Sequence, residues 1–457
     1  MPALHKDIIA RAIANEYWRA VKITPAWRVY LLGATLCVAL TICSRTFGDR
    51  GGPYFMASLG VAGIAYLLAI HELFATPKFS RRVIIIGLAL AALWHLPFLL
   101  APPGADDDIH RYLWDGRVQR LGYNPYLVVP SDPALAGLHT PETRTLNNAY
   151  LPSPYPAGAE LFFRAVTAVH ESIFTLKIAF VVCDFAIVLV LLDILRTSGQ
   201  EAHWVLAYAW NPLLAIEVAG SGHVDIVGVL LLLVSFAALG RSFTGEARRW
   251  RAVAAVALGV AVAVKLLPIV LLPLYWKRVR IRDGALAAVV AGILYIPFLD
   301  HGRIPLGSLG AYVHSFRFND PVFAMIERIA TPEFAAVLAV LAGFLIAVCF
   351  RITASALSPE AFAWPMAASL LCAPVVYPWY LLWMLPFLWT ASTAPIIVWT
   401  VSIIPTYYVW HLRALGRLWI LPFWIMPLEY GAVTVAGAFI ALHRFKPPPQ
   451  SHERKTR

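Results

Sequence analysis

Runs of about 20 apolar residues recur along nearly the whole of this 457-residue chain, and they restrict its fold more than any motif does. A hydrocarbon layer roughly 30 Å thick takes about 20 helical residues to cross, and unpaired backbone groups are costly inside it, so such runs must span as helices. They fall at approximately 27–44, 54–75, 82–100, 173–195, 203–218, 224–240, 284–299, 333–350, 361–376, 379–392, 394–410 and 420–442, with a further segment at 252–276. With 60% apolar and 14% charged residues, and a mean hydropathy of +0.69, there is more apolar surface than one globular core can hide. The expected fold class is therefore an all-α polytopic membrane protein of about 12–13 transmembrane helices, with 27–442 as a single membrane domain. The first run, Trp27 to Cys43, follows a long charged segment without a small-residue cleavage site, and reads as a retained helix rather than a signal peptide.

The net charge of +11 does not imply a nucleic-acid partner. The basic residues sit in short loops between spans, where they act as topology signals. Lys6, Arg11, Arg19 and Lys22, then Lys78/Arg81/Arg82, Arg241/Arg248/Arg249/Arg251, Lys277/Arg278/Arg280/Arg282 and the tail from Arg444 all belong in the cytoplasm by the positive-inside rule. The N-terminal segment 1–26 and the tail 443–457 are then both cytoplasmic, in a multi-pass protein of the cell membrane. All five cysteines lie in apolar segments with no zinc-ligand spacing, so they read as buried packing.

Segment 252–276 has strongly basic loops at both ends, which a single crossing cannot reconcile with the rule. A re-entrant hairpin can. Its break is at Lys265-Leu266-Leu267-Pro268, with Pro273 in the returning arm, and it carries Lys265 to the far side. The large loop 101–172, the loop 300–332 and the turns at 219–223 and Tyr377-Pro378-Trp379 then emerge on that same extracytoplasmic face. About 70 residues in 101–172 are too many for a connector.

That loop opens with Asp106-Asp107-Asp108-Ile109-His110-Arg111-Tyr112-Leu113-Trp114-Asp115. On a short helix over 107–120, Asp108, Arg111, Tyr112 and Asp115 share one face. They would hold carboxylates beside cations at the membrane surface. The plainer alternative is that the aspartates cap the helix, with Asp107 and Arg111 as an exposed i,i+4 pair. Further polar groups gather at the same face: Gly220-Ser221-Gly222-His223-Val224-Asp225 leads a His and an Asp into a span, where ionisable groups are costly, and Lys265 tops the hairpin. A local hydrogen-bonding role for His223 and a snorkelling Lys265 are the structural alternatives.

Four patterns in order resemble the GT-C class of membrane glycosyltransferases, especially mannosyltransferases that use polyprenyl-phosphate sugars. They are Asp108-Ile-His-Arg-Tyr-Leu-Trp-Asp-Gly followed by Gly122-Tyr-Asn-Pro-Tyr126; Gly222-His-Val-Asp225; Lys265-Leu-Leu-Pro268; and Tyr377-Pro-Trp-Tyr380. The resemblance implies a GT-C-like bundle with a catalytic first extracytoplasmic loop. It implies transfer of a hexose, mannose by family, from a polyprenyl-phosphate donor to a lipid, glycan or protein acceptor. Asp108 takes the place of the family's catalytic base, with Asp107 in reserve because the aspartate run leaves the register open. An extra aspartate, and Pro156-Ala157 where Pro-Pro is commoner, depart from the pattern.

These residue types suit that chemistry. A carboxylate takes the acceptor's proton, and Lys265, Arg111 or Arg317 can meet charge developing on the leaving phosphate. With no second carboxylate assignable as nucleophile, single displacement and inversion follow. Tyr377, Trp379 and Tyr380, with Trp114, Tyr123, Tyr126 and Tyr155, can stack on sugars or line a polyprenyl groove, although interfacial belts also collect aromatics. The aspartate run leaves a divalent cation open without demanding one. The competing class is a transporter or lipid-linked-sugar flippase, to which Asp184 and Asp193 within a span point, against the absence of an evident internal repeat.

Overall fold

The structure is a computed structural model that describes residues 25–104, 107–144, 146–243, 247–355 and 357–444. The basic N-terminal segment to residue 24, Asp106 and the tail from residue 445 lie outside the described residues. Among the described residues the fold is helical throughout, with two isolated bridges and no sheet.

Among the described residues eight helices are long and apolar enough to cross a membrane, and a ninth span arises if one bent pair counts as a crossing. In chain order the main helices are α1 (Pro25–Arg45), α2 (Pro53–Ala75), α3 (Arg81–Leu100), α4 (Ile109–Arg120), α5 (Ala157–Val169), α6 (Ile173–Thr197), α7 (Asp225–Arg241), α8 (Ala247–Val264), α9 (Ile281–Tyr295), α10 (Pro332–Thr353), α11 (Glu360–Leu371), α12 (Ala394–Ser402) and α13 (Ile425–Arg444). Helices α1 and α2 form an antiparallel pair against α3, α7 lies between α6 and α8, α10 packs on α11, and α12 on α13. The apolar runs at 203–218, 361–376 and 379–392 are helical but broken into short pieces. Proline explains much of this: Pro378 and Pro386 each open only a short 3₁₀ turn. These pieces are enclosed by other helices, so their broken backbone need not face lipid.

Residues 247–276 trace a hairpin. After α8 the chain breaks at Lys265–Leu266 and returns through the 3₁₀ turn Leu267–Leu271 and the short helix Leu272–Tyr275. Ser235 of α7 donates to Ala254 O at 2.5 Å and lies 2.6 Å from the Tyr275 hydroxyl, so the two arms come back to a common depth. The returning arm follows α10, with Arg351 donating to Trp276 O at 2.9 Å. The expected turn at 219–223 is a second break, across which the π-helical turn Leu214–Gly220 lies at 115° to α7.

The loops of interest meet at one end of this bundle. Lys177, in the first turns of α6, donates to Phe98 O (2.8 Å) and Ala101 O (2.7 Å), two carbonyls at the end of α3. Ser308 donates to Pro152 O at 3.0 Å, tying loop 300–332 to loop 101–172. Phe318 bridges to Val375 beside the Tyr377-Pro378-Trp379 turn.

Candidate active site

The site grows from the turn before α4. Asp107 is buried and accepts two hydrogen bonds from Arg50, at 2.7 and 2.6 Å, and one from Gly104 N at 2.7 Å. Arg50 comes from the turn between α1 and α2 and stacks over Phe47. This fork fixes the backbone of Asp107 and so presents its neighbour. The Asp108 side chain is 25% exposed against 3% for Asp107. Although Asp108 occupies the N-cap position, its side chain makes no capping bond; it accepts from Asn147 Nδ2 at 3.2 Å instead. The plain capping alternative therefore does not describe this helix, nor does an Asp107–Arg111 pair form.

His223 faces Asp108 from the break between the π-helical turn and α7. Its Nδ1 lies 3.9 Å from Asp108 Oδ2, and its Nε2 lies 3.1 Å from Glu217 Oε2. Gly222 enables the turn: its φ is +75°, and a Cβ there would come within 2.5 Å of Ile109. Two residues on, buried Asp225 is held by Lys265 Nζ (2.7 and 2.9 Å) and by Trp383 Nε1 (2.7 Å). The Lys265 side chain remains 23% exposed, with its ammonium 4.1 Å from the centre of the Tyr380 ring.

Aromatic rings complete the wall. Tyr377 stacks on Trp379 at 4.3 Å, and Trp379 stacks on His223 at 4.0 Å, with Tyr380 edge-on to both Tyr377 and Trp379. Tyr312 of the second loop meets the Tyr380 hydroxyl at 2.9 Å. Tyr112 is buried against Phe163, and burial, then Asp108, then Asp225, holds its hydroxyl well above the ordinary phenol range. A carboxylate and an ammonium, both partly open, thus share one aromatic-lined end of the bundle.

The MptA/B family model for the N-terminal domain of α-(1→6)-mannopyranosyltransferases matches residues 38–279, just over half of the chain. The chain belongs to that family. It is also similar to an α-(1→6)-mannopyranosyltransferase of Mycobacterium tuberculosis, 27% identical over 167 residues. That match covers 34% of this chain and 28% of the relative, so it spans under a third of the relative's length. No solved structure matches. The matched family segment contains the Asp107–Asp108 turn, the His223 break and Lys265.

Among the expected site residues of this mannosyltransferase-family chain, Asp108, His223, Asp225, Lys265, Tyr377, Trp379 and Tyr380 come together. Arg111 and Asp115 point inward: Arg111 Nε donates to Asp115 Oδ1 at 2.8 Å and Nη1 to Leu151 O at 2.9 Å. Beneath them lies Glu160, bonded to Ser153 and, at 2.7 Å, to Gln119. Burial pushes the Asp115 and Glu160 carboxyls upward, and for Glu160 the nearby Asp115 adds to it. Arg317 is committed to Glu327, at 2.9 and 2.5 Å, and to carbonyls of its own loop. Trp114 stacks on His139 inside the loop's small core, and Tyr126 is buried beside Phe298. Among the described residues no group of three or more His, Cys, Asp or Glu is arranged to hold a metal ion.

Several buried ionic groups went unremarked in the sequence, among them Glu217, Arg50, Lys177 and Glu160. Glu217 is the single acid of the run 205–219, and a charge in such a run is a signal in itself. Arg50 and Lys177 are 4% and 1% exposed, and a buried cation points to partners.

Proposed function

We propose that this chain transfers a mannosyl residue from a polyprenyl phosphate to a hydroxyl acceptor at the extracytoplasmic face, with Asp108 as general base. The observation that carries the assignment is the divergence of two adjacent aspartates: Asp107 is locked to Arg50, whereas Asp108 stays open at the centre of the aromatic-lined end. The acceptor hydroxyl loses its proton to Asp108 as its oxygen attacks the anomeric carbon, and the phosphate leaves with the bonding pair. Lys265 meets the charge that develops on that phosphate. Asp225, itself held by Trp383, fixes the ammonium, and the face left open can still donate a hydrogen bond to the donor's phosphate although Asp225 offsets much of its charge.

A single displacement inverts the anomeric carbon. An α-linked product, as the family's name describes, then requires a β-linked donor. The Tyr377–Trp379 stack offers flat faces for the sugar or for isoprene units. A soluble sugar acceptor, a glycan or a lipid all supply the hydroxyl this mechanism uses, and the open end accommodates the reading in which the acceptor is itself lipid-linked.

The test is transfer of radiolabelled mannose from a short polyprenyl phosphate by purified protein in detergent, with a crude lipid extract as acceptor. Label moves into a new product with the wild type, and Asp108→Asn lowers the rate about 10²–10⁴-fold with folding intact. Undiminished transfer by folded Asp108→Asn overturns the base assignment. Failure of the wild type to bind or use any of a panel of polyprenyl-phosphate sugars overturns the donor class.

A further inference from the structure

The group behind Asp108 is not explained by capping, packing or charge pairing alone. His223 is 2% exposed and Glu217 is fully buried, yet the imidazole lies between two carboxylates, Nδ1 3.9 Å from Asp108 and Nε2 3.1 Å from Glu217, with neither nitrogen in hydrogen-bonding alignment. The ring has little freedom to turn. Trp379 stacks flat against it at 4.0 Å and 10°, and its own backbone N–H donates to Glu217 O at 2.8 Å. Glu217 is braced in turn by the Tyr407 hydroxyl on its other oxygen. Arg50 and Asp225 are the remaining charges acting on this pair, from the α1–α2 turn and from the start of α7.

We propose that His223 and Glu217 form a proton relay behind the catalytic base, in which His223 takes from Asp108 the proton removed from the acceptor and Glu217 holds the resulting imidazolium. This rests on the reading of Asp108 given above. Glu217 selects the tautomer by proximity, since a proton on Nε2, 3.1 Å from its carboxylate, leaves the Nδ1 lone pair on the side of Asp108. The step balances. The acceptor O–H bond breaks and its oxygen bonds the anomeric carbon; the bond from that carbon to the phosphate oxygen breaks, with its electron pair leaving on the phosphate. The proton goes to Asp108, then to His223 Nδ1, and departs with the products.

The direction is favourable, because an ordinary carboxylic acid is a stronger acid than imidazolium by about 2.5 pKa units. The relay matters here because the leaving phosphate gains negative charge close to the base. A proton moved one group deeper regenerates an anionic Asp108 while keeping positive charge at the site. A 3.9 Å separation is closed by rotation of the partly exposed Asp108 or by one bridging water.

The experiment measures kcat and donor KM against pH for full-length wild type and for His223→Gln, Glu217→Gln and Tyr407→Phe in detergent. In the wild type, kcat falls on the acid side as His223 becomes protonated before turnover. His223→Gln lowers kcat on the order of tenfold or more, leaves donor KM within about twofold, and removes that acid limb. Glu217→Gln moves the limb to lower pH, because the imidazolium loses its counter-charge, and Tyr407→Phe moves it to higher pH, because the carboxylate loses a donor. A residue with a merely structural role lowers the amount of folded protein but shifts no limb. Folded His223→Gln with wild-type kcat and an unchanged limb overturns the relay, as does a raised KM at unchanged kcat. Where His223→Gln does not fold, the opposite limb shifts in the other two variants decide the question. The two readings fail separately: an active Asp108→Asn sinks the base assignment, whereas an inactive Asp108→Asn beside unaltered His223 and Glu217 variants sinks only the relay.

Discussion

Replacing Asp107 and replacing Asp108 should have different consequences even though the residues are neighbours. Asp107 and Arg50 are each 3% exposed and share a two-pronged hydrogen bond. Removing one partner of such a pair leaves the other charge buried, at a cost of about 3–5 kcal/mol, whereas replacing both with apolar residues is close to neutral. Asp107→Leu strands the guanidinium, but Glu217 lies near enough to offset part of that charge. Arg50→Met strands Asp107 and also takes a cation from Glu217, so it should be the worse of the two. The double variant Arg50→Met/Asp107→Leu, whose methionine keeps the contact with Phe47, should recover most of the loss. The assay is the thermal unfolding midpoint of detergent-purified protein across the four members of this cycle, with transfer activity measured per folded molecule. Additive losses in the double variant would refute the ion-pair argument. Asp107→Asn that folds normally but transfers no sugar would reverse the roles given to the two aspartates.

The ammonium, the indole that aims it and the carboxyl pair beneath α4 give three more tests. Lys265→Met should raise donor KM by on the order of tenfold, with the loss smaller for a donor lacking its phosphate charge, measured by donor titration; an unchanged KM removes Lys265 from the phosphate. A Cβ at Gly228 runs into the Trp383 ring, so Gly228→Val should break the Trp383–Asp225 bond and lower activity without touching any charged group, whereas Gly284→Ala, facing open space, should be silent. Glu160 holds its proton well above the ordinary 4.5, so the unfolded chain releases that proton first and stability falls as pH rises from there toward the raised folded value. Glu160→Gln should flatten that fall in the unfolding midpoint; an unchanged slope means the carboxyl is not the source.

Much of the architecture was legible because hydropathy acts locally. The run 173–195 and the helix Ile173–Thr197 coincide, since an unbroken apolar stretch of that length has few other solutions. Proline marked the hairpin apex at Lys265, as the carbonyls freed there need special positions. The enclosed runs were less legible. Nothing in 379–392 distinguishes a lipid-facing span from a broken segment wrapped by neighbours, because that depends on what the rest of the chain packs around it. Around the candidate site, hydropathy singled out His223, Asp225 and Lys265 as charges in disfavoured places, whereas Asp108 was singled out by the family pattern. The separation of Asp107 from Asp108 was not legible, because it depends on Arg50, more than fifty residues away.

The two helix breaks explain how charged groups reach this end of the bundle at all. A straight helix through residues 214–241 would be about 42 Å long, well beyond the roughly 30 Å of a hydrocarbon layer. The 115° bend turns its first part sideways against α3 and α6. Bending frees backbone groups, and the chain pairs them locally: Ser221 N donates to Ile216 O at 2.7 Å and His223 N to Glu217 O at 2.8 Å. The second bond also fixes His223 against the residue that partners its ring. At the other break, Lys265 N still donates back to Ala261 O at 3.1 Å, so the ammonium leaves from the last ordered turn of α8 rather than from a loose loop. Asp225 then begins α7, where a carboxylate is favoured by the helix N-terminus, and it meets Lys265 across the two breaks. Each break therefore positions an ionisable group from rigid helix on one side, and the salt bridge between them holds the breaks in register. Unwinding either one should disturb both, which is why the hairpin apex and the His223 turn are expected to tolerate substitution together or not at all.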